Sequence, residues 1–193
     1  MTQETRLLHV NIARATPIEI NGRSVLTAIG KQPVAGAIEV HPLGLAGDEQ
    51  ADLSVHGGLG KAVYAYPIEH YAFWQTVRAQ AGVAAWQDTL PPGSLGENLT
   101  ISGLLEADAF IGDVLRFADC ELAISEPRYP CFKFNAAMGF KHAAKLMNQS
   151  GWCGFYLAVR MPGRLSAGES FDVIPGPRDI GIAELFKSRK SAS

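Results

Sequence analysis

The chain has 193 residues, 47% of them hydrophobic and 19% charged, and a formal net charge of -2. That length suits one large domain, or one domain with a small appendage, and can bury a core without disulfide staples. The balance excludes a disordered or membrane-spanning class and, with no surplus of Lys and Arg, a general nucleic-acid binder.

In chain order, MTQETRLLHVNIAR lacks the apolar run of a signal peptide. No later segment approaches the roughly 20 apolar residues of a membrane span, so a cytoplasmic location without a membrane partner is expected. Leu7 to Ala13 reads as a strand. Pro17 to Ile20, then Asn21-Gly22, then Arg23 to Ile29 carries the Asn-Gly signal of a tight hairpin. Ala37 to Val40 and Ala62 to Tyr66 are further short strands. Between them lies LGLAGDEQADLSVHGGLGK, too polar and too rich in glycine to be core.

Ile68 to Ala81 is predicted as a helix, with Tyr71, Trp74 and Val77 spaced along one face. After the loop LPPGSLGENLTISG, Val114 to Phe117 and Cys120 to Ser125 read as a second hairpin. Phe134 to Asn148 is predicted as a helix weakened at Gly139. Phe155 to Arg160 and Ser170 to Ile174 are closing strands. Many short strands with few helices point to a mainly β fold with peripheral helices, α+β in class. The expected architecture is a Greek-key-like barrel or sandwich. The division expected is a β domain over 1–175 and, over 176–193, a short helical extension that stops early and frays.

Three cysteines without a CxxC argue against a disulfide framework or a structural zinc site. Cys120 shares strand parity with Leu122 and Ile124, and Cys153 follows Gly151 just before a strand; both read as packing. Cys131, in EPRYPCFKFN, follows a proline-stiffened loop at the start of a helix, between Arg128 and Lys133. Those neighbours favour a thiolate, which attacks electrophiles or binds a soft metal; the alternative is a buried thiol beside Phe132 and Phe134.

Asp48, Asp52 and His56 are four apart, the spacing of metal ligands on a helix face. The flanking Gly47, Gly57 and Gly58 argue instead for a loop that approaches an oxyanion, with His56 and Lys61 as donors, or for a solvated connection. In GSLGENL, Asn98 is either a heterocycle-edge donor or a turn residue. No GxGxxG opening a helix after a strand and no GxxxxGK[ST] is present. Trp74, Trp86 and Trp152 read as core or rim aromatics.

In order, TAIGKQPV, GLAGDEQADLSVHGGLGKAVYAYPIEHY, PPGSLGENLT, IGDVLRF, EPRYPCFKFN and SGWCGFYLAVRMPG resemble the MOSC-domain family, the module named for the C-terminal part of molybdenum cofactor sulfurases. More closely, they resemble its YiiM-like branch of 6-N-hydroxylaminopurine reductases. The resemblance implies a MOSC β-barrel that binds a molybdenum cofactor of molybdopterin type, with Cys131 as molybdenum ligand. It makes Lys31, His56, Lys61, Asn98, Arg128 and Asn135 candidates for holding the pterin and its phosphate. The implied activity is reduction of small N-hydroxylated compounds to amines, with Cys131 and His56 at the reacting centre and electrons from a separate reductase. Two alternatives remain: a non-catalytic cofactor or sulfur carrier using Cys131, and a cysteine hydrolase pairing Cys131 with His56. The pattern departs from the branch in its C-terminal extension, of which only DIGIAELF resembles the start. A cysteine desulfurase domain has no room in the chain.

Overall fold

A computed structural model of the protein describes residues 4–51 and 57–190, apart from the side chain of Lys190. Its strands are β1 (Arg6–Ile12), β2 (Thr16–Ile20), β3 (Arg23–Thr27), β4 (Gln32–Pro33), β5 (Ile38–His41), β6 (Gly44–Leu45), β7 (Val63–Pro67), β8 (Leu99–Ser102), β9 (Val114–Arg116), β10 (Glu121–Pro127), β11 (Phe155–Met161), β12 (Gly163–Leu165) and β13 (Asp172–Ile174). The helices are α1 (Tyr71–Gln80), α2 (Phe132–Met138), α3 (Ala143–Ser150) and α4 (Ile182–Lys190).

The fold is mainly β with a few helices. Eight strands form one sheet in the order β13-β9-β10-β11-β7-β8-β1-β4, beside a three-stranded sheet, β12-β5-β6, and the β2-β3 hairpin. Neighbours are antiparallel except β7 and β8, whose parallel register needs a crossover that contains α1. Among the described residues β4 and β13 end the sheet without pairing to each other, so the sheet is not closed into a barrel at those strands. Instead, the N-terminal end of β1 bonds to the segment before β13. Leu7 N donates to Glu169 O (2.8 Å), and Gly168 N donates to Leu7 O (2.7 Å).

Local chemistry explains most elements. Asn21 and Gly22 both take positive φ, which the tight β2-β3 turn requires. Gly139, at φ 81°, divides the predicted helix over 134–148 into α2 and α3. All five residues of β7 are buried, as a central strand covered on both faces demands. Trp74 and Tyr71 of α1 close over that strand, and Trp74 Nε1 donates to the Tyr66 hydroxyl at 2.7 Å. Cys120 and Cys153 are buried as packing thiols; burial pushes the Cys120 thiol up to about 12, with nearby carboxylates adding to it. The C-terminal extension carries the nine-residue helix α4, with Ile182 and Phe186 in the core, and its last residues, 191–193, lie outside the described residues.

Candidate functional site

The site is a cleft whose walls come from four places: the stretch after β3, the loop after β6, the paired strands β7 and β11, and the start of α2. It gathers Lys31, Lys61, Asn98, Arg128 and Cys131, five of the residues singled out in separate sequence motifs. Lys133 joins them, so four cationic side chains face two carboxylates, Asp48 and Glu49, in a chain that is net negative. Asn135 is not in this lining. Its Oδ1 accepts from Ala144 N at 2.8 Å, tying α2 to the first turn of α3. His56 and Asp52 lie outside the described residues.

Strand register sets the floor. Pro127 pairs with Phe155, and Tyr156 pairs with Tyr64, so three adjacent strands bring Arg128, Tyr156 and Tyr64 together. Prolines at 127 and 130 fix φ on either side of Arg128 and Tyr129 and hold the chain extended into Cys131. Cys131 caps α2 from an extended conformation (φ −116°, ψ 177°), and its thiol is partly exposed to the cleft.

Arg128 is only 4% exposed. Its guanidinium lies over the rings of Phe134 (4.6 Å) and Tyr64 (5.3 Å), and Nη1 donates to Met147 Sδ at 3.4 Å. Among the described residues, no carboxylate lies within ion-pair distance of it. Arginine stays charged in proteins, so this buried cation is stabilised by aromatic side chains and a thioether and would gain from an anion in the cleft.

On the opposite wall, Asp48 organises three groups. Its Oδ1 accepts from Lys31 Nζ and from Ala13 N (2.8 Å), and its Oδ2 accepts from Asn98 Nδ2 at 2.9 Å. Asn98 also donates to Asn11 O (3.2 Å) and accepts from Tyr64 N (3.1 Å). Its amide is therefore engaged at both ends, and Asn98 serves as a strut beneath Asp48 and β7. Burial lowers the affinity of Lys31 for its proton, while Asp48 and Glu97 act in the opposite sense. Among the described residues, no cluster of three or more His, Cys, Asp or Glu could hold a metal ion. Asp48 is already matched to a cation and two N–H groups.

The second glycine loop supports this wall from behind. Glu97 is fully buried and accepts from Gly93 N (2.7 Å), Leu95 N (3.1 Å), Thr100 Oγ1 (2.9 Å) and the Tyr71 hydroxyl. Gly93, at φ +84°, passes so near Lys31 that an added Cβ would lie 2.5 Å from Lys31 O. Sequence reasoning missed Tyr64, Tyr156 and the part played by Asp48. The run VYAYP has no alternation to mark an inward face, and the Tyr64–Tyr156 pairing is a long-range register.

A MOSC domain model matches residues 52–172. With the fold described above, that match makes the chain a member of the MOSC domain family. Within the family it is 35% identical over 161 residues to protein YiiM of Escherichia coli, covering 82% of this chain and 68% of that one. Protein YflK of Bacillus subtilis, an uncharacterized protein, is also 35% identical, over 95% of this chain and 79% of its own length. A reductase of Gibberella moniliformis is 31% identical over 89% of this chain, but the match spans only 29% of that protein. The crystal structure of YiiM from Geobacillus stearothermophilus superposes with a TM-score of 0.73 at 27% identity, covering 94% of this chain and 82% of that one.

Among the described residues, no helix is long and apolar enough to cross a membrane.

Proposed function

We propose that this protein is a cytoplasmic, molybdenum-cofactor-dependent oxidoreductase that reduces N-hydroxylated compounds, such as N-hydroxylated purine bases, to amines. The supporting observation is the pairing of a partly exposed thiol, Cys131, with a buried guanidinium, Arg128, that has no carboxylate within ion-pair distance among the described residues. A relative named as a reductase agrees with that class of reaction.

The donor set fits a molybdopterin. Cys131 offers a soft sulfur to the metal, and Arg128, Lys31 and Lys61 offer charge to the anionic phosphate and sulfur atoms of the pterin. When bound, the molybdenum supplies two-electron and oxygen-transfer chemistry that no side chain provides. Overall, the N–O bond of R–NHOH breaks as two electrons and two protons enter, giving R–NH2 and water. Lys31 Nζ is placed to hold one of those protons, because burial eases its loss and Asp48 keeps the ammonium in position. His56 is a further proton donor on this reading. Tyr64 and Tyr156 line the floor of the cleft, their rings packed against each other. The electrons come from a separate reductase.

The test is turnover. Cofactor-loaded protein with reduced methyl viologen should convert 6-N-hydroxylaminopurine to adenine. Fully loaded protein that produces no adenine would overturn the reductase reading in favour of a carrier.

A further inference from the structure

We propose that the C-terminal helix is a positioning element of the site: α4 grips Tyr129 and thereby fixes Arg128 and Cys131. The Tyr129 ring stacks on Phe186 at 5.3 Å and 13°. Its other contact with the helix is the guanidinium of Arg189, 4.4 Å from the ring centre, and its hydroxyl donates to Leu185 O at 3.3 Å. Tyr129 directly follows Arg128 and is two residues before Cys131, in a segment stiffened by Pro127 and Pro130. A stiff segment of this kind shifts as a unit, so a hold on Tyr129 is a hold on the guanidinium and the sulfur.

The helix and the segment before it are themselves anchored to the loop that leads into β9. Ile182 N donates to Ala109 O and Ile111 N to Ile180 O, both at 2.9 Å. The buried Asp113 accepts from Gly176 N at 2.8 Å and lies 3.3 Å from Arg178 Nη2. Phe186 is 3% exposed, whereas Arg189 is exposed and Tyr129 is half-buried. The grip thus joins a core anchor to a surface cation around one ring of the site loop. Tyr129 and Phe186 are positioning residues, acting on Arg128 and Cys131 without lining the cleft. This inference rests on Cys131 and Arg128 being the working groups of the proposed site, and its test does not need the cofactor.

The experiment alkylates Cys131 with iodoacetamide in the cofactor-free protein, read by peptide mass spectrometry, and then titrates molybdate as protectant. Phe186→Ala and Arg189→Ala should each change the alkylation rate and raise the half-protecting molybdate concentration, by about threefold or more for Phe186→Ala. Phe186→Tyr should restore both values. Phe171→Ala, which cuts a buried aromatic pair with Phe117 elsewhere in the core, is the stability control and should leave both unchanged. Arg189→Ala lies on the surface and keeps the test open if Phe186→Ala fails to fold. The clamp is overturned if the folded variants match the parent in both readouts, or if Phe171→Ala shifts them equally. If molybdate gives the parent no protection, the anion-site reading fails, and the alkylation rates alone then decide the clamp.

Discussion

Asn98 Nδ2 donates to Asp48 Oδ2 at 2.9 Å, and the same carboxylate holds Lys31 through its other oxygen. The polar residues of the glycine loop therefore act on the cleft through Asp48. An ion pair this deep in the wall is stabilising only while both partners are present.

Asp48→Ala removes the ion-pair partner of the buried Lys31 ammonium, and a loss of about 3 kcal/mol is expected. Adding Lys31→Met should recover most of it. Urea denaturation of the two single variants and the double variant measures the coupling. Simple additivity would contradict the pairing.

Glu97 should make stability depend on pH. Burial raises its proton affinity above that of an ordinary glutamate, against opposing hydrogen bonds from Tyr71 and Gly93. A carboxyl raised in the folded state contributes its full stability below the unfolded value and loses it as pH rises through the folded one. Relative to Glu97→Gln, the parent should therefore lose ground as pH climbs above about 4.5, by roughly 1.4 kcal/mol for each pH unit separating the folded and unfolded values. Denaturant midpoints at acid and neutral pH give the comparison, and a difference that is flat with pH would contradict it.

Gly93→Ala combines a left-handed backbone with a Cβ driven against Lys31 O. A cost of about 1–3 kcal/mol is expected, together with weaker molybdate protection of Cys131. Gly60→Ala is the reference: no atom of the described residues lies within 4 Å of its added Cβ, so the change should stay within about 0.5 kcal/mol. Thermal melts of both variants are sufficient.

Arg128→Met replaces a buried cation that has no carboxylate partner among the described residues by an apolar side chain of similar length. The cofactor-free protein should be as stable as the parent or more so, while protection of Cys131 by molybdate is lost. A loss of several kcal/mol in the cofactor-free state would mean that Arg128 is held mainly by internal contacts.

Signals carried by adjacent residues were legible in the sequence. Asn21-Gly22 marked its hairpin, and the prolines around Arg128 and Tyr129 marked a stiff mount for Cys131 because their effect on φ is local. Motif order brought Lys31, Lys61 and Arg128 into consideration, and folding places all three in one cleft. Roles that depend on distant partners could not be read in this way. Asn98 donates to Asp48, 50 residues away, and Asn135 accepts from Ala144 N through Oδ1, and neither bond is marked in its own motif. The Tyr64–Tyr156 floor exists only once β7 meets β11. Whether the two edge strands pair was equally hidden, since strand count and turn spacing do not decide it.

The most direct test of the central claim is the molybdenum and pterin content of the protein made in a cofactor-competent host, compared with Cys131→Ser. Metal analysis with pterin fluorescence should find molybdenum and pterin near one per chain in the parent and both largely lost in the variant. Full occupancy in Cys131→Ser would contradict the assignment of this sulfur as the metal ligand.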